Sequence, residues 1–129
     1  MMILIKEYLG GSEFLNSLYG ESLSFDGVDL QEVGFGWDGP IARLRFSMKN
    51  FPLAPPRKWE GLNAVLVELS IFPLSEVSLN KFGRGNKCNL EIEFVAEDGF
   101  FRIDITGDSE ATFRALTVNV DKVSAYLRE

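Results

Sequence analysis

The chain has 129 residues, 46% of them hydrophobic and 25% charged, with a net charge of −6, 11 phenylalanines, one cysteine and no histidine. That length implies one domain, residues 1–129, with apolar content enough for its own core. The acidic balance disfavours nucleic acid and anionic membranes, which need clustered cations, and a lone cysteine excludes an intrachain disulfide and points to a reducing compartment.

The Met1–Leu9 segment fits an edge strand or a short helical lead equally well. Its apolar start is interrupted at Lys6 and Glu7, too soon for a signal-peptide core or a membrane span, so a cytoplasmic protein is expected. Ser12 then precedes Glu13, Phe14, Leu15, Leu18 and Tyr19, with Gly20 behind them. An N-capping residue, an acid in the first turn and a closing glycine predict one short helix.

Residues Val28–Lys49 predict a hairpin turning at Asp38-Gly39. Val33 then faces Leu44, Phe35 faces Ala42, and Glu32 faces Arg45 as a cross-strand charge pair. Val28 and Leu30 fall on the wrong side of this register. One extra residue near Gln31, a β-bulge, restores them. Asn50–Gly61 carries Pro52, Pro55 and Pro56 and reads as a loop bearing Arg57, Lys58 and Trp59. Asn63–Phe72 is apolar on both sides and reads as a central strand that Pro73 stops. Glu76–Phe82 reads as a separate short strand with Val77 and Leu79 inward, followed by the loop Gly83-Arg84-Gly85-Asn86.

Leu90–Ala96 and Phe101–Thr106 flank Asp98-Gly99, a strong hairpin signal. With those two residues at the tip, Phe94 faces Ile103, Ile92 faces Ile105, and Glu93 faces Asp104. One face of the ribbon is apolar and the other acidic. Ala111–Tyr126 predicts a strand through Val120, with a frayed or helical end. The chain is therefore expected to be all-β and mainly antiparallel, a sandwich or strongly curved barrel of about seven strands with one short N-terminal helix.

Without histidine there is no usual general base, no common metal ligand and no Ser-His or Cys-His pair, so no enzyme, cofactor or metal site is expected. Cys88 has no partner thiol and reads as structural. Asp26 with Asp29 lacks calcium-loop spacing and reads as a turn with a solvated face. Glu93 opposite Asp104, beside Glu91, is a like-charge pair. Either Arg102 or an arginine on the next strand neutralises it, or it is kept acidic for a partner. Trp59, beside Arg57 and Lys58, is an interface anchor or a lid over one end of the fold. The candidate partner-binding residues are thus Glu91, Glu93, Asp104, Asp26, Asp29 and Trp59.

Charge is segregated along the chain. Residues 7–38 contain seven acids and no base, and residues 39–59 contain five bases and no acid. If the acidic segments share a surface, they present a field suited to a basic partner; if the arginines flank them, the charge is compensated internally.

The runs Leu18-Tyr19-Gly20 and Ser24-Phe25-Asp26-Gly27-Val28 resemble the entry motif of immunity protein family 50 of bacterial polymorphic toxin systems. The spacing of Val67-Glu68-Leu69-Ser70-Ile71-Phe72, Val77-Ser78-Leu79, Phe82, Asn86 and Leu90-Glu91-Ile92 resembles that family too. The likeness extends from Leu18 to Tyr126. It implies a small cytoplasmic protein that binds and blocks a cognate toxin domain, with no catalytic residues to carry over. The 11 phenylalanines support a second reading, a β-domain enclosing an apolar ligand. Oligomeric state is left open.

Overall fold

Residues 28–47 form the first hairpin, β1 (Val28–Gly36) and β2 (Ile41–Ser47), in a computed structural model that describes residues 9–83 and 85–129. Its register pairs Val33 with Leu44, Phe35 with Ala42 and Glu32 with Arg45, and it shifts between Leu30 and Glu32. Gln31 is the extra residue. The bulge turns Val28 and Leu30 inward, where they are 0% and 5% exposed.

Four more strands follow: β3 (Ala64–Lys81), β4 (Lys87–Val95), β5 (Phe100–Gly107) and β6 (Glu110–Tyr126). The six lie in one antiparallel, ring-like sheet in the order β1-β2-β3-β6-β5-β4. A short ladder closes the ring, pairing Val28 with Cys88 and Asp29 with Lys87. The fold is all-β and strongly curved, and among the described residues it carries one α-helix, α1 (Glu13–Tyr19), at the N-terminal side. Of the Met1–Leu9 lead only Leu9 is among the described residues; it is buried.

Four expectations are corrected. First, Pro73 does not stop a strand. β3 runs through it, so the two expected strands are one, and six strands stand among the described residues. Proline removes a backbone donor, which an edge tolerates. Pairing between β2 and β3 ends at Ala42–Ile71, so Pro73 lies past the last residue that β2 covers. The neighbouring Leu74 amide donates instead to the Pro40 carbonyl at 2.9 Å.

Second, Val77 and Leu79 are half-exposed, at 44% and 49%. They pair with the buried Phe113 and Ala111 of β6, so they share the inner side of the sheet as expected. What they lack is cover, because β2 has already ended.

Third, the β4–β5 hairpin is shifted by two residues. Phe94 pairs with Phe101, Ile92 with Ile103 and Leu90 with Ile105. A two-residue primed turn needs φ > 0 at both centres, and among the described residues only glycines have it. Gly99 alone goes left-handed (φ 72), closing a four-residue loop in which the Asp98 and Gly99 amides both donate to the Val95 carbonyl. Because strand side chains alternate with period 2, the slip preserves the apolar and polar faces but changes every partner. Fourth, β6 continues to Tyr126, held by its pairing with Ala64 at the start of β3.

The ring interior is filled. Phe25, Phe46, Phe113, Leu44, Leu69, Ile71, Ile103, Val65 and Val67 are essentially inaccessible, and Phe25 meets Phe46 edge-on at 5.2 Å. Leu15 of α1 and Trp59 belong to the same core cluster.

Candidate partner-binding surface

On the outer side of the sheet, pairing brings together residues far apart in the chain. One row across β4, β5, β6 and β3 reads Glu93, Arg102, Arg114, Glu76; the next reads Glu91, Asp104, Thr112, Ser78. The like-charge pair is therefore Glu91–Asp104, not Glu93–Asp104, and Glu93 stands opposite Arg102. Asp104 accepts from Arg102 Nε at 3.1 Å and from Thr112 Oγ1 at 2.9 Å. Arg114 approaches Asp98 at 3.7 Å and lies over the Phe100 ring at 3.9 Å. Asp104, partly buried, thus has a cation beside it to offset the like charge of Glu91 opposite, while Glu91 and Glu93 are exposed.

The other half of the ring repeats the alternation. Glu32, Arg45, Glu68 and Lys122 form a row across β1, β2, β3 and β6, with Arg45 at 3.5 Å from Glu32. Arg45 is in this way flanked by acids on both neighbours, whereas Arg43 pairs with Gly34 and Ser70.

Asp26 and Asp29 part company. Asp26 is exposed in a turn, its amide accepted by Ser24 Oγ at 3.1 Å, and it lines a surface concavity with Tyr19, Lys49 and Phe51. Asp29 is held at the ring closure between Lys87 Nζ (2.7 Å) and Arg128 Nη1 (2.8 Å). Partial burial pushes its carboxyl up, but the hydrogen bonds and charges of Lys87 and Arg128 outweigh that and hold it below the usual carboxylate range. Trp59 is 5% exposed, seated edge-on against Phe14 at 5.6 Å and beside Phe51 at 6.1 Å, so it serves as the lid over one end of the fold.

A polar network at the same closure had no counterpart among the sequence expectations. Gln31 Nε2, from the bulge, donates to Ser47 Oγ at 2.8 Å, and Ser47 Oγ lies 2.6 Å from the Tyr126 hydroxyl. Arg128 Nη2 donates to that hydroxyl at 2.9 Å. Burial raises the Tyr126 phenol, but Ser47, Arg128 and Gln31 together bring it below the ordinary tyrosine value. Tyr19 goes the other way: burial pushes it up to about 12, and its hydroxyl donates to the Asn50 carbonyl at 2.7 Å. The Tyr126-x-Arg128 spacing, which puts both side chains on one side of an extended chain, was the available signal.

Cys88 is buried beneath the β1–β4 ladder, 1% exposed. Among the described residues no helix is long and apolar enough to cross a membrane. The outer surface offers charged rows and aromatic patches, the chemistry of protein recognition. No curated protein and no solved structure matches the chain at a significant level. A family model described as immunity protein 50 matches residues 11–126, nearly the whole chain. The chain belongs to the immunity protein 50 family.

Proposed function

We propose that the protein binds a cognate bacterial toxin domain in the cytoplasm and neutralises it by occlusion, using the outer face of the β4–β5 hairpin. Family membership supports the toxin-binding reading and points to a non-catalytic protein. The choice of surface rests on one observation. From Cys88 to Thr106 the chain has five acids (Glu91, Glu93, Glu97, Asp98 and Asp104) against Arg102 alone, and all but Asp104 are exposed. A basic toxin surface would be steered to such a face and would find its charges already ordered by the sheet.

Two experiments test the two levels of the reading. A polypeptide encoded beside this chain, lethal when expressed alone and harmless when co-expressed with it, is the expected partner; the absence of any such rescue overturns neutralisation. With that partner in hand, E91K/E93K/D104K should weaken the complex by more than about tenfold, with circular dichroism checking that the sheet persists. Unchanged affinity removes this face from the account and leaves the binding itself intact.

A further inference from the structure

The second half of β3 is an open sheet edge. From Glu76 to Lys81 it pairs with β6 on one side, and among the described residues no strand pairs on the other, since β2 contacts end at Ile71 and the Leu74 amide is the last bonded to the β1–β2 loop. An uncovered edge presents a row of backbone donors and acceptors, and proteins guard such edges with lysine, proline or inward charges. Here Pro73 and Lys81 stand at the two ends, and register shifts against β6 fall between Leu74 and Glu76 and between Leu79 and Lys81. The guards thus flank a regular stretch, Glu76–Leu79, in which Val77, Ser78 and Leu79 carry no charge. The one charge inside, Glu76, stands beside Arg114 in the ladder. Apolar surface adjoins the edge: Val77 and Leu79 are half-exposed, Phe82 is 61% exposed, and Phe35, Trp37 and Leu74 line a concavity of about 360 Å³ at its start.

The segment is complementary to itself. In an antiparallel pair related by a two-fold axis normal to the sheet, residues opposite one another must share a face, so the axis passes through a residue. Placed at Ser78, it sets Val77 against Leu79, Leu79 against Val77 and Glu76 against Asn80, with apolar facing apolar and no like charges opposed. Placed at Leu79, it would set Val77 against Lys81, which lies past the register shift after Leu79 and shares the face of Glu110 rather than that of Val77. At Val77, it would set Leu79 against Ser75, within the shift between Leu74 and Glu76. Only the first placement satisfies both faces. It also carries Phe82 of each copy toward the Leu74 concavity of the other.

We propose that a second copy of this chain docks on the free edge of β3, the Glu76–Asn80 segments of the two copies running antiparallel about a two-fold axis at Ser78. The result is one sheet continuous across two rings.

Sedimentation or light scattering from micromolar to near-millimolar concentration tests this directly. The expected result is a concentration-dependent species of twice the chain mass. V77K/L79K places lysine opposite lysine, and V77E/L79E places glutamate opposite glutamate; each should raise the dimer dissociation constant by more than about a hundredfold. Both sites are half-exposed, so cooperative thermal unfolding should persist in each variant. Mixing the two variants sets lysine against glutamate and should restore a heterodimer, an outcome that simple loss of folding cannot produce. A wild type that is monomeric throughout, charged variants that still dimerise, or folded variants that fail to pair on mixing would each overturn the proposal.

Discussion

Asp29 shows how a single side chain acquires a role through its neighbours. In sequence it is one of a pair of acids around a turn; in the fold it is the carboxylate that bridges β4 and the C-terminal segment through Lys87 and Arg128. Because its folded pKa lies below the ordinary value of about 3.9, the native state binds the proton less readily than the unfolded chain. The ion pairs therefore stabilise fully above that value, and their contribution is lost as pH falls through the lowered one. Both cations are largely solvent-exposed, so screening keeps the effect small. Asp29→Asn should cost about 1 kcal/mol at neutral pH, and the urea unfolding curves of variant and wild type should converge below about pH 4. A difference that stays constant down to acid would show that charge is not its source.

At the scale of elements, the bulge at Gln31 decides which way the start of β1 faces. The alternation of apolar residues exposes the need for an extra residue there, and the register confirms its position. Gln31→Ala keeps the bulge and loses one hydrogen bond to Ser47, about 1 kcal/mol. Deleting Gln31 instead turns Val28 and Leu30 outward, and burying each is worth about 1.5–3 kcal/mol. The deletion should thus cost about 3–6 kcal/mol in denaturant unfolding, several times the alanine change; equal costs would mean the strand re-registers freely. The β4–β5 hairpin teaches the complementary lesson. Its strands and faces were legible from alternation, but its partners were not, since two registers differing by two residues bury the same side chains. The loop's backbone geometry made the choice, and with it put Arg102 rather than Asp104 opposite Glu93.

For the whole molecule, the net charge of −6 sits on a surface where many acids already alternate with bases, as in the Glu32-Arg45-Glu68-Lys122 row. Exposed pairs of that kind add little stability, so salt should move the unfolding midpoint only slightly. The rate of toxin association, if driven by the acidic hairpin, should fall about tenfold or more from low to physiological ionic strength. Stopped-flow binding at several salt concentrations checks this, and a salt-independent rate would assign recognition to apolar contacts instead. Taken alone, the sequence determined the all-β class, the helix with its glycine stop, the first hairpin with its bulge, and the acidic character of the second hairpin. All of these follow from local rules: side-chain period, turn chemistry and the glycine that ends the helix. Ser12, expected to cap it, donates its hydroxyl to the Leu9 carbonyl instead. Only the tertiary structure decided that β3 survives Pro73, that Trp59 is buried, that Val77 and Leu79 lack cover, and that Asp29 and Tyr126 meet Arg128. The strand outcomes depend on where a neighbouring strand ends, Trp59 on its seat against Phe14 and Phe51, and Asp29 and Tyr126 on how the ring closes; spacing along one chain does not encode such distances across the fold.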